Sequence, residues 1–253
     1  MMPNQMIGLL GLVFAGLFLA GCATNSAVAR MNQPNRSLVV VPVKGQPISV
    51  RSIHASTAIG FGIIGGQIEQ AATTSSSGAL CARLNQDASF DGERILAEEC
   101  AKLLQASPKV AFRAVTVQPT DAAMPGVKDM EASEQQRFKV NCPNVFKWSG
   151  NLSEWKKGPP VAGNVSATGQ HTVFLEVTFR MVVLNHHDKI DPAILDVRLV
   201  DAETGEMLGF SSSAETYKIT AVTGDIDLGT FESDFRKCMN ESARKMLGDL
   251  NLL

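Results

Sequence analysis

Alternation of apolar and polar side chains is strongest from Thr172 to Leu184. There TVFLEVTFRMVVL puts Val173, Leu175, Val177, Phe179, Met181 and Val183 on one face and Glu176, Thr178 and Arg180 on the other. That period predicts a strand with one buried face. Ala193 to Val200 (AILDVRLV) alternates again, and Asp201-Ala202-Glu203-Thr204-Gly205 is a turn leading into a further strand from Glu206. Three antiparallel strands in sequence make a meander. Asn185-His186-His187-Asp188 reads as the connection between the first two. Adjacent residues on a strand point apart and no third ligand stands nearby, so no metal site is expected there.

Helical spacing appears twice. Asp91 to Gln105 (DGERILAEECAKLLQ) aligns Leu96, Cys100, Leu103 and Leu104, with Asp91 as cap and Glu93 in the first turn. Thr230 to Leu250 repeats Phe231, Phe235, Cys238, Met239, Met246, Leu247 and Leu250 at steps of three and four, with Thr230 as its expected cap. Ser37 to Val43 (SLVVVPV) reads as a core strand with Pro42 at an edge, Ile48 to Ile53 as a second short strand, and Val110 to Val117 as a third. Residues 119–170 are poorly patterned and too long for a plain loop, so they are expected to form an irregular insertion. The order is strand, helix, strand, insertion, meander, helix. It predicts an α/β (α+β) sandwich in which helices cover a largely antiparallel sheet.

Two stretches fit neither period. Ile7 to Ala20 (IGLLGLVFAGLFLA) is an apolar run without charge. It has the length of a secretory signal core and falls short of the roughly 20 residues a spanning helix needs. Ala58 to Ile68 (AIGFGIIGGQI) sets Gly60, Gly62, Gly65 and Gly66 among Ile and Phe, with Gly62 and Gly66 at a spacing that permits close helix approach. The plain reading is a Gly-rich turn and short helix packed on the sheet. The sharper one is a membrane-inserting or self-associating segment, against which Glu69 stands.

The first run ends in Leu19-Ala20-Gly21-Cys22, which resembles the lipobox of bacterial lipoproteins, although no Lys or Arg precedes it. The resemblance implies cleavage between Gly21 and Cys22, diacylglycerol on the Cys22 thiol and acylation, for instance with palmitate, of the new amino terminus. Ala23, where an Asp would favour inner-membrane retention, implies an outer-membrane protein on the periplasmic face. Residues 1–21 are then a signal peptide, 22–36 a lipid-anchored flexible tether and 37–253 one periplasmic domain. As a flexible coil the tether spans roughly 20 Å, so the domain sits close to the membrane. More than one buried acyl chain makes such anchoring stable.

Charge and cysteine content narrow the classes. Residues 1–21 carry no ionisable side chain, so the mature chain keeps the formal net charge of −2, which argues against a nucleic-acid partner. Besides Cys22 there are Cys81, Cys100, Cys142 and Cys238, which in an oxidising periplasm are candidates for disulfides. The alternative is buried free thiols, since Cys100 and Cys238 fall at apolar helical positions. Trp148 and Trp155 flank SGNLSE beside Lys156 and Lys157. Exposed, they could stack on glycan rings. The more common role of such residues is to pin a loop to the core.

Val197 to Gly209 (VRLVDAETGEMLG), followed by a long C-terminal helix, resembles periplasmic lipoproteins of the curli-secretion-channel type and the activators of peptidoglycan synthases. Those relatives include ring-forming pores and monomeric adaptors. No G-x-S-x-G, H-E-x-x-H or Cys/His arrangement of family spacing is present. The expectation is a non-enzymatic binding or adaptor module for envelope assembly or secretion, without cofactor, acting on an envelope protein partner. The alternatives are a homo-oligomeric ring that uses residues 58–68 and a glycan- or peptidoglycan-binding lipoprotein.

Overall fold

The computed structural model describes residues 36–51, 78–85, 87–118, 122–125, 127–129, 146–148, 152–161, 172–185, 188–222 and 227–253. Its strands are β1 (Ser37–Val43), β2 (Ile48–Arg51), β3 (Ala114–Val117), β4 (Val127–Asp129), β5 (Phe146–Trp148), β6 (Thr172–Asn185), β7 (Lys189–Asp201) and β8 (Met207–Lys218). The helices are α1 (78–85), α2 (Gly92–Gln105), α3 (Leu152–Lys157) and α4 (Leu228–Asp249).

Among the described residues one open sheet runs β3-β1-β6-β7-β8, with β2 also on β6, and β4 and β5 form a separate antiparallel pair. The long ladders of the meander β6-β7-β8 are antiparallel. The short N-terminal strands all join in parallel, β1 along Thr172–Thr178 and β2 along Val182–Asn185 on the same edge of β6. A parallel pairing needs a crossover, and the chain between β1 and β3, which includes β2, α1 and α2, supplies that one. β3 pairs only with Ser37–Val40, so Pro42 lies past the end of that ladder and removes no bond from it.

The predicted α+β sandwich is the observed architecture. α2 and α4 lie on one face of the sheet. Leu96, Cys100 and Leu104 of α2 and Phe231, Phe235, Met239 and Met246 of α4 are buried there with Leu175, Val177, Leu195, Val197 and Leu199. Phe235 stacks on Phe231, and its ring also meets Phe179 edge-on at 6.1 Å. α2 starts as its sequence predicts, with the Asp91 carboxylate accepting the Arg94 N–H at 2.9 Å.

Three readings are corrected. The cap of α4 is Asp227, one turn before the expected Thr230; Asp227 accepts the Gly229 N–H and the Thr230 hydroxyl. The alternation of β6 also breaks. A bulge between Phe179 and Met181 adds one residue opposite β7, which turns Met181 outward (41% exposed) and brings Val182 and Leu184 into the helix-covered core. The third strand is shorter than read, since only Ala114–Val117 joins the sheet.

Candidate functional site

The outward positions of the meander are polar, and the ladders set them side by side. Glu176 faces Arg198 across β6 and β7, Thr178 faces Asp196, and Asp196 and Arg198 face Ser212 and Phe210 of β8. Two ion pairs result. Glu176 and Arg198 meet at 2.8 Å with both side chains excluded from water. Arg180 reaches Asp196 through two bonds of 2.9 and 2.6 Å and gives a third, at 2.7 Å, to the Ser212 hydroxyl. This bidentate contact raises the Arg180 pKa, while its side chain stays about a third exposed.

The first pair is buried because residues 152–161, a strap within the insertion, lie on it. The last turn of α3 leaves carbonyls without helical partners. Arg198 donates to the carbonyls of Trp155, Gly158 (3.1 Å) and Pro159 (2.8 Å). Glu176 accepts the Trp155 indole N–H at 3.0 Å and the Val161 N–H at 2.6 Å. Trp155 is 1% exposed and packs with Val41, Val43, Met124 and Phe174, with Phe210 edge-on at 6.2 Å. Lys156 lies over the Phe210 ring at 3.4 Å. The buried guanidinium and carboxylate thus bind the strap 152–161 rather than a ligand. Their chemistry is positional.

A second feature lies at the opposite edge of β6, where the turn between β1 and β2 meets α1 and α2. A cavity of about 220 Å³ is lined by apolar Ile48, Leu84, Phe90 and Phe179 and by polar Lys44, Asn85, Asp91 and Glu93, among others. Asn85 acts there as a short piece of strand, its amide accepting the Ile48 N–H at 2.8 Å and donating to the Ile48 carbonyl at 2.9 Å. Glu93 is half-buried by surface, opening on the cavity, yet protein crowds its carboxyl and pushes the pKa up to about 7. The nearby Asp91 adds to the rise. The Gly45 N–H, at 3.4 Å, and Lys44 oppose it.

Of the site residues singled out from sequence, Trp155 lies at the buried pair. Gly21 and Cys22, the segment with Gly60, Gly62, Gly65 and Gly66, and Cys142 lie outside the described residues. Trp148 pairs with Val127 in β5, and its side chain is outside the described set. Trp155 is corrected. It is no glycan platform, because its ring is buried under the strap and its N–H is spent on Glu176. Cys100 and Cys238 are corrected as disulfide candidates: both are free thiols buried between the helices and sheet, where burial pushes each pKa up to about 12. Cys81 is disulfide-bonded, its partner lying outside the described residues. Among the described residues no His/Cys/Asp/Glu group could hold a metal, and no helix is long and apolar enough to cross a membrane.

No family model matches the chain, and no curated protein does. Similar solved structures include a Xanthomonas campestris protein of the DUF330 family at 9% identity, covering 88% of each chain with a TM-score of 0.38. A Chlamydia trachomatis hypothetical protein is 13% identical over 85% of this chain and 94% of its own, with a TM-score of 0.32. A Caulobacter crescentus protein described provisionally as a lipoprotein is 17% identical over 35% of this chain and 71% of its own, at 0.23. These likenesses are distant, and none carries a function to this chain.

Sequence reasoning missed the buried pair and the cavity. The signal for the first was visible: Glu176 and Arg198 are charged residues between apolar neighbours on two strands with an apolar face. Their facing each other depends on register.

Proposed function

We propose that this chain is a lipid-anchored envelope protein, held through acylated Cys22 on the periplasmic face of the outer membrane, that works as a non-enzymatic binding or adaptor module without a cofactor. Leu19-Ala20-Gly21-Cys22 at the end of the apolar run supports the anchor. The observation that carries the adaptor reading is the latched strap. The outer face of the sheet spends a buried charge pair on holding residues 152–161 in one position, a device suited to presenting the insertion to an envelope protein.

The test is made with the full chain in a two-membrane bacterium. Labelled fatty acid should enter the wild type and not the Cys22→Ser variant; equal labelling of both removes the anchor. Photocrosslinkers at Glu154 and Lys157, on the strap, should yield a discrete protein adduct, whereas one at Arg244, on α4, should not. Adducts from Arg244 alone would overturn the strap as the presenting face.

A further inference from the structure

The open sheet ends in two unlike edges. β3 closes one side with four residues, and the Gln105 side-chain amide of α2 donates to its Val115 carbonyl at 3.1 Å. β8 closes the other with twelve, Met207–Lys218. Among the described residues β8 pairs only with β7, and no side chain bonds to its backbone. A long edge of this kind presents a row of unpaired N–H and C=O groups, which folded proteins blunt with charge, proline or a bulge. The middle of β8, Gly209–Ala214 (GFSSSA), has neither charge nor proline, and its ladder to β7 runs on without a shift. α4 lies along one face of this strand. There Asp249 accepts the Ser211 hydroxyl at 2.8 Å, and Lys245 pairs with Glu215. On the other face the strap reaches Phe210 through Lys156. Beneath α4, Ser213 is 0% exposed and its hydroxyl has no hydrogen-bond partner among the described residues. A buried hydroxyl left in that state costs stability.

We propose that two copies of this chain join edge to edge through β8, antiparallel, about a two-fold axis at Ser213. Ser213 then stands directly opposite Ser213 of the second copy. Side chains so placed are close enough for their hydroxyls to bond, which supplies the missing partner. Ala214 faces Ser212, Glu215 faces Ser211 and Lys218 faces Leu208 of the second copy. The strand's charges, Glu215 and Lys218, are both toward its C-terminal end. Antiparallel pairing sets each against an uncharged residue, whereas parallel pairing would set each against its like. The helices follow the strands. Lys245 stands at Glu215 and Asp249 at Ser211, so the same symmetry brings each exposed lysine toward the other copy's exposed aspartate. Arg244 stays outside the contact, since it bonds Asn240, which turns toward Glu99 of α2. The contact uses the same surface on both copies and so closes on itself. It covers both long edges and leaves the two short β3 edges as the ends of the joined sheet.

Light scattering on the full chain in mild detergent, corrected for bound detergent, should give the mass of two chains. Under mild oxidation Ser213→Cys should form a disulfide-linked dimer, because directly opposite Cα atoms lie about 4.5–5.5 Å apart. Ser211→Cys, set opposite Glu215, should not. Lys245→Glu should weaken dimerisation several-fold, and adding Asp249→Lys should restore it. Any other mass for the wild type overturns the pairing. So does a dimer in which Ser213→Cys fails to link or Ser211→Cys links as well. Should a cysteine variant fail to fold, the charge exchange decides: a dimer indifferent to Lys245→Glu, or unrestored by the double variant, overturns the proposal.

Discussion

The two faces of the sheet are held by different physics. Toward α2 and α4 the contact is almost wholly apolar, built from Leu, Val and Phe that interdigitate without directional bonds. Toward the insertion a smaller apolar cluster around Trp155 surrounds an ion pair whose remaining hydrogen-bonding capacity is spent on the strap's backbone. Burial of apolar area is non-directional and tolerates substitutions that conserve volume. A buried charge pair tolerates almost nothing, because each ion is stable only while the other is present. The helical face therefore contributes stability that repacking can restore, whereas the outer face also sets where the strap 152–161 lies.

The comparison breaks most visibly at Arg198. Arg198→Met leaves Glu176 charged and buried and should cost about 3–5 kcal/mol in denaturant unfolding. Adding Glu176→Leu should recover most of that loss, which an unrelated pair of destabilising changes would not do. In a Trp148→Phe background the single variant should also red-shift Trp155 emission as the strap lifts. Leu199→Ala, on the helical face, should cost about 2–5 kcal/mol through the cavity it leaves, with Trp155 emission unchanged in the folded protein. A shift there would mean that the two faces are not separable.

The pH dependence is a smaller effect. The Glu93 carboxyl rises from its ordinary 4.5 to about 7 on folding, so between those values the native state holds a proton that the unfolded chain has lost. Stability therefore falls as pH rises through that window. Glu93→Gln should flatten the slope, and a thermal-unfolding series from pH 4 to 8.5 measures it. The smallest effect concerns the thiols. Cys100 and Cys238 should resist alkylation in the native protein and react once it is unfolded, with no reductant needed, because burial keeps both neutral.

Where neighbours along the chain carry the information, the sequence is legible. The strands β6 and β7, the stripes of α2 and α4 and the Asp91 cap are each set within about a dozen residues, and all are present, although the alternation of β6 holds only as far as Phe179. The bulge is not legible. Val182 and Leu184 are as apolar as the Met181 and Val183 the alternation selects, and only pairing with β7 decides which set turns inward. α3 is also missed, being too short to show a helical period, and so is α1.

The candidate sites divide in the same way. The lipobox proposed at Leu19-Ala20-Gly21-Cys22 would be a linear signal, read before any folding, so its reading needs the chain alone. The role of Trp155 is different. Exposed or buried, the residue has the same neighbours in sequence, and it becomes a pin only because Glu176 and Arg198 come into register beneath it. Glu93, too, looks like an ordinary first-turn acid until the β1–β2 turn is folded over it. Sequence by itself determined the elements and their apolar faces, since periodicity is local. Only the tertiary structure decided which charges are buried and what they hold, since the cost of burying a charge depends on every atom that displaces its water.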